Sequence, residues 1–179
     1  MSGPNSRSRS TRACSALVIL IVAVAIFALD FLTKSWVLNA AETAPESLPV
    51  VLFHDFFGID GSITYAENRG AAWGLFADYP YLLVGVRIGF IIALALFTLL
   101  SRASLWWKLP VACIIAGALG NVCDTFRYGS VIDMIHLRFW GYDYPVFNVA
   151  DSAICVGAIW LVLHSLAKKS SPQADAHEQ

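Results

Sequence analysis

Apolar positions in this chain come in long runs separated by shorter polar stretches, and four of the runs are candidate membrane spans. Ala13 to Leu29 is nearly unbroken, and Tyr81 to Leu100 is apolar apart from Arg87 and Thr98. Leu105 to Val122 carries Lys108, Pro110 and several small residues, and Phe147 to Leu166 is the fourth run. At about 1.5 Å of rise per residue, roughly 20 residues cross the ~30 Å hydrocarbon layer, and the four runs span 17 to 20 residues. The pattern predicts a mainly α membrane protein with four transmembrane helices.

Cations orient the spans. Arg7, Arg9 and Arg12 precede the first run, Arg102 and Lys108 lie between the second and third, and Lys168 and Lys169 follow the fourth. Four crossings put all of them on one side, the positive-inside pattern, with both termini cytoplasmic and the polar stretches Asn39 to Pro80 and Thr125 to Val146 outside. The first run has a basic flank, but no small-x-small cleavage site follows it. It leads straight into "LDFLTKSW", so a retained helix is expected rather than a cleaved signal peptide. Cys14 has no apolar run before it and is a poor lipid-attachment site.

Within the first outer stretch (39–80), "VVLFHDFFGIDGSITYAEN" holds two β-leaning runs around Gly58-Ile59-Asp60-Gly61, which predicts a hairpin. Its aromatics, with those of "AAWGLFADYPYLL", suit the headgroup layer. The polar ends, 1–12 and 170–179, are expected to be disordered cytoplasmic tails, leaving one domain from 13 to 169.

Composition agrees with the bilayer as solvent: 58% of residues are hydrophobic and 14% charged. The net charge of −1 carries no information about nucleic acid, but no basic face appears beyond the span ends, so no nucleic-acid partner is expected. Cys14, Cys113, Cys123 and Cys155 lack metal-ligand spacing and read as small buried hydrophobes, so no metal or other cofactor is expected. The chain has no internal repeat, P-loop, Rossmann glycine pattern, zinc motif or nucleophile elbow.

Most acids lie in loops. Asp30, Asp124, Asp133 and Asp151 do not, and in this topology all four approach the outer membrane face. Asp30 lies about 26 Å along the first helix with Lys34 at i+4, either an interfacial acid beside a snorkelling lysine or a support for the site. Asn121 and Asp124 are spaced i, i+3, as are Asn148 and Asp151, so each pair shares a helix face. Asn148 suits an N-cap and Asp151 the third helical position, where the dipole tolerates negative charge. Tolerance does not explain the choice of an acid in lipid, and an intramembrane ionisable group is a functional candidate. Asp133, in "SVIDMIH", has apolar neighbours on both sides and is expected against the membrane or the bundle; Asp143, in "WGYDYP", reads as a turn acid. His54 and His136 are possible bases without triad spacing.

Asp133 and Asp151 can therefore meet where the fourth helix enters the membrane. Low dielectric and mutual repulsion favour one shared proton between them. Such a pair holds a water, deprotonates it for attack on a peptide carbonyl and protonates the leaving amine. Two other readings remain open on the residues alone: a small proton- or ion-coupled transporter, and a structural four-helix protein.

In order along the chain, "DFLTK" (Asp30, Thr33, Lys34), "ENRGAAWGLF" (Asn68, Gly70, Ala71), "GALGNVCD" (Gly117, Gly120, Asn121, Asp124), "GSVIDMI" (Asp133) and "FNVADSAI" (Asn148, Ala150, Asp151) resemble the lipoprotein signal peptidases (signal peptidase II), bacterial membrane aspartic peptidases. The resemblance implies Asp133 and Asp151 as the catalytic dyad. It implies a substrate pocket shaped by Asn68, Asn121, Asp124 and Asn148, and a sheet cradle with a mobile helical flap. It further implies a monomer among the lipids of the bacterial inner membrane. Its substrates would be prolipoproteins whose lipobox cysteine carries a diacylglyceryl group, cut just before that cysteine. Two positions depart from the family pattern. Thr125 follows Asp124 where Arg is usual, leaving Arg127 or hydrogen bonds alone to hold that acid, and Trp73 replaces a smaller aromatic.

Overall fold

The computed structural model describes residues 5–70, 79–101 and 103–169. Four helices, each long and apolar enough to cross a membrane, dominate it: α1 (Asn5–Thr43), α2 (Pro80–Leu100), α3 (Leu105–Tyr128) and α4 (Val149–Lys169). The protein is a multi-pass membrane protein. A short 3₁₀ turn (Pro45–Ser47) and four strands complete it: β1 (Val50–Phe56), β2 (Ile59–Asn68), β3 (Val131–Phe139) and β4 (Tyr142–Asp143).

The third run, interrupted by polar and small residues, forms the central helix. α3 packs against α1, α2 and α4 and is mostly buried, whereas the other three turn most of their surface outward. Its glycines let backbones approach, as small residues do between helices in lipid. A Cβ on Gly117 would collide with the carbonyl of Ala150 in α4, and one on Gly120 would lie 2.5 Å from Asp30 Oδ2 in α1.

Two helices run further than the apolar pattern indicates. α1 includes residues 5–12, which were expected to be a disordered tail, and continues to Thr43. Between Asn5 and Thr43 there is no Gly or Pro to stop propagation, and Pro45 follows the end. α3 continues past Val122 through "CDTFRY" and closes at Gly129, whose φ of 75° lets its N–H reach Thr125 O at 3.0 Å. Residues 1–4 and 170–179 lie outside the described residues.

The strands form one antiparallel sheet in the order β1-β2-β3-β4. The predicted β1–β2 hairpin is present, but it turns at Phe57-Gly58, both with positive φ, as a tight two-residue hairpin requires. β3, which the sequence reading left as loop, pairs with β2 from Ile59↔Phe139 to Asn68↔Val131, and Asp133 stands opposite Ala66. A bridge between Ile135 and Phe147 then ties β3 to the segment entering α4. Val131 through Met134 are buried where β3 meets the bundle. Of the four cysteines only Cys113 is buried. All are free, and Cys14 and Cys155 sit on outward helix faces, contrary to the expectation of burial.

Candidate active site

Helix α4 begins with a reciprocal cap. Asn148 Oδ1 accepts the N–H of Asp151 at 2.8 Å, and Asp151 Oδ2 accepts the N–H of Asn148 at 3.3 Å. This is a capping box with Asp in the third helical position. The Asn148 amide does more than cap. Its Nδ2 donates to Asp133 Oδ1 at 2.7 Å and also approaches Asn121 Oδ1 at 3.1 Å and Ile132 O at 3.3 Å. Asn148 therefore touches both Asp133 and Asp151, which lie on a strand and a helix. The Ile135–Phe147 bridge holds those two elements side by side: Phe147 O accepts from Met134 N and Ile135 N, and Ile135 O accepts from Phe147 N.

Asp133 is 2% exposed, and each of its oxygens accepts an amide bond, Oδ1 from Asn148 and Oδ2 from Asn68 Nδ2 at 3.1 Å. Asn68, the last residue of β2, in turn accepts the N–H of Gly70 at 3.0 Å. Burial pushes the Asp133 carboxyl up to about 7, and the charge of Asp151 adds to that rise, while the amides and Lys34 oppose it. Asp151 Oδ1 accepts Asn121 Nδ2 at 2.8 Å. Asp151 opens onto a cavity of about 300 Å³ walled by Asn68, Gly70, Arg87, Asn121, Val131, Phe147, Ile154 and Cys155, with Tyr144 to Val146 at its edge. Asp133 sits behind this wall, reached through Asn68.

Beneath the two acids lies a buried ionic cluster. Lys34, 3% exposed, reaches Asp30 Oδ2 at 2.7 Å, Asp124 Oδ2 at 2.8 Å and Asn121 Oδ1 at 3.1 Å. It does not snorkel, because two acids and an amide meet its charge inside the protein. Asp30 Oδ1 accepts the N–H of Ala150 at 2.8 Å, and Asp124 Oδ2 accepts that of Ile132 at 3.2 Å. Lys34 thus answers how Asp124 is held beside Thr125. Arg127 is engaged elsewhere, its guanidinium 5.0 Å from the ring centres of Phe31 and Tyr128.

All ten candidate residues, Asp30, Lys34, Asn68, Gly70, Asn121, Asp124, Asp133, Asn148, Ala150 and Asp151, converge on the sheet end of the bundle. Ala71, Trp73 and the part of the loop left for the helical flap fall on 71–78, outside the described residues. Asp143 belongs to β4 and meets His136 (3.2 Å) and Arg138 (3.8 Å) on an exposed groove, where His54 pairs with Asp60 at 2.5 Å. In the sequence Arg87 stands out only as an interruption of the second apolar run with no role assigned, and its place in the cavity wall is new. That a lone cation in an apolar run must face protein or water was the available signal.

The fold and this polar cluster define a multi-pass membrane enzyme. Two bacterial membrane enzymes solved by the in meso method share the fold, with TM-scores of 0.72 and 0.65, identities of 27% and 28%, and coverage of 90% and 83% of this chain and 94% and 92% of theirs. The family model described as signal peptidase (SPase) II matches residues 22–167. A lipoprotein signal peptidase of Xylella fastidiosa (strain M12) is 39% identical over 166 residues, 89% of this chain and 95% of its own. One from Halothermothrix orenii is 34% identical over 149 residues, 82% of this chain and 94% of its own. The chain belongs to the signal peptidase II family and is a peptidase of the aspartic type that removes signal peptides from prolipoproteins. The transporter and purely structural readings are thereby set aside.

Proposed function

We propose that the protein cleaves diacylglyceryl-modified prolipoproteins immediately before the lipidated cysteine, using one water activated between Asp133 and Asp151. The observation that carries this reading is Asn148, whose side-chain amide donates to Asp133 Oδ1 and whose backbone N–H donates to Asp151 Oδ2, while its Oδ1 caps α4. Two carboxylates so placed favour one shared proton. The ionised member takes a proton from water as its oxygen attacks the scissile carbonyl, and the protonated member gives one to the departing amine nitrogen. The elevated carboxyl of Asp133 suits it to hold that proton near neutral pH. Asn68, Gly70 and Asn121 line the substrate's side, and Asp30, Lys34, Asp124 and Ala150 hold the framework.

The charge pattern supports cytoplasmic termini and a site near the outer face, and membership of the signal peptidase II family supports the bacterial inner membrane. Exposed aromatics and aliphatics at the sheet edge, among them Val51, Leu52, Phe56 and Phe57, favour a sheet lying on the lipid surface. A diacylglyceryl cysteine is anchored at that depth by its own chains. Lifting it into water would cost about 0.8 kcal/mol per CH₂ group.

Reconstituted protein should shorten a diacylglyceryl-modified precursor, and Asp133→Asn and Asp151→Asn should each abolish cleavage while the protein still inserts and melts cooperatively. Continued cleavage by either variant removes that residue from the mechanism.

A further inference from the structure

Amide hydrolysis leaves a new negative charge beside two acids. Water adds its oxygen to the carbonyl carbon, the C–N bond breaks, the amine nitrogen takes one of the water's protons, and the acid product gives up the other to the freed amine. The departing peptide then ends in a carboxylate next to the dyad, where like charges repel strongly in a poorly solvated site. Lys34 is committed to Asp30 and Asp124, and Arg127 to the rings of Phe31 and Tyr128.

Arg87 is placed differently. It lies seven residues after Pro80 in α2, about 10 Å along the helix, a depth at which a cation is costly unless it faces protein or a water-filled cavity. It lines the same cavity as Asn68, Asn121 and Asp151, and it is the one cation among the described residues of that wall. Among the described residues its guanidinium donates to Gly70 O alone, at 3.3 Å, and its planar fork carries five N–H donors in all.

We propose that Arg87 is the carboxylate-binding residue of this cavity. Its planar, permanently charged fork pairs with the C-terminal carboxylate of the released peptide and, before cleavage, more weakly with the neutral carbonyl in the same place. The assignment rests on reading this cavity as the place of cleavage.

The test uses full-length protein in lipid nanodiscs and two synthetic peptides of signal-peptide length, identical except that one ends in a carboxylate and the other in a carboxamide. The acid should bind wild type about tenfold more tightly than the amide, the scale of one charge-assisted pair. Arg87→Gln should equalise the two, and Arg87→Lys should restore part of the difference. Equal binding by wild type, or a preference that survives Arg87→Gln, overturns the proposal. So does a loss of cleavage in Arg87→Gln with the preference intact, which would assign Arg87 to holding Gly70. Asp151→Asn should tighten acid binding by removing a like charge. If Arg87→Gln abolishes the preference while Asp151→Asn leaves acid affinity unchanged, the Arg87 pairing stands and it is the dyad's place at this cavity that fails.

Discussion

Asp30 Oδ1 accepts the backbone N–H of Ala150 at 2.8 Å, joining residues 120 positions apart. One oxygen of Asp30 thereby fastens the first turn of α4 to α1, and the other holds Lys34. The position of Asp151, one residue further on, depends on that fastening. Asp30→Ala should lower the melting temperature and reduce cleavage together, with a stability loss of about 3 kcal/mol for breaking a buried charged pair. Asp30→Asn, whose amide oxygen still accepts from Ala150, should lose less of both. Thermal melts and cleavage rates on the same preparations check this.

Lys34 compensates two buried acids at once. Lys34→Met leaves Asp30 and Asp124 facing each other without a cation and should destabilise by roughly 3–5 kcal/mol. The triple change Lys34→Met, Asp30→Asn, Asp124→Asn should recover much of the lost stability, because it removes the uncompensated charges. Recovery of the melt without recovery of full activity would separate folding from alignment of α4.

Asn148 both caps a helix and holds Asp133. Asn148→Ser keeps a good cap, so stability should fall by less than about 1 kcal/mol, while the bond to Asp133 is lost. Cleavage should fall at least about tenfold in kcat, the cost of misaligning one charge-assisted hydrogen bond. A serine variant with unchanged kcat would reduce Asn148 to a cap.

The pH dependence follows from Asp133. Its carboxyl is raised to about 7 in the folded protein, so the folded state holds a proton that the unfolded chain releases at ordinary carboxylate pH. That contribution to stability is fully present below about pH 4 and is lost as pH rises through about 7. Asp133→Asn should flatten the pH dependence of the melt across this window. In wild type, kcat/KM should decline above about pH 7 as the shared proton leaves. A rate that keeps rising past pH 8 would contradict the role of Asp133 as proton holder.

Parts of the molecule were readable because they obey local rules. Runs of about 20 apolar residues have one stable form in lipid, so the four spans were legible from "LVILIVAVAIFAL" and its counterparts. The capping role of Asn148 and the i+4 pairing of Asp30 with Lys34 were also local. Helix extension at both ends of α1 was not, because apolar pattern marks lipid depth and not where hydrogen bonding stops. Strand β3 escaped because its partner β2 lies some 70 residues earlier, and short apolar runs do not declare a strand until a partner is found.

Sequence alone determined which chemistry was present: four apolar spans, a sidedness of cations, and acids and amides at spacings that share helix faces. Tertiary structure decided which charges meet between elements. Lys34, not Arg127, neutralises Asp124, and Arg87 faces the cavity of Asp151. Partner choice among buried charges is set by distance and desolvation in three dimensions, quantities that no spacing along one chain contains.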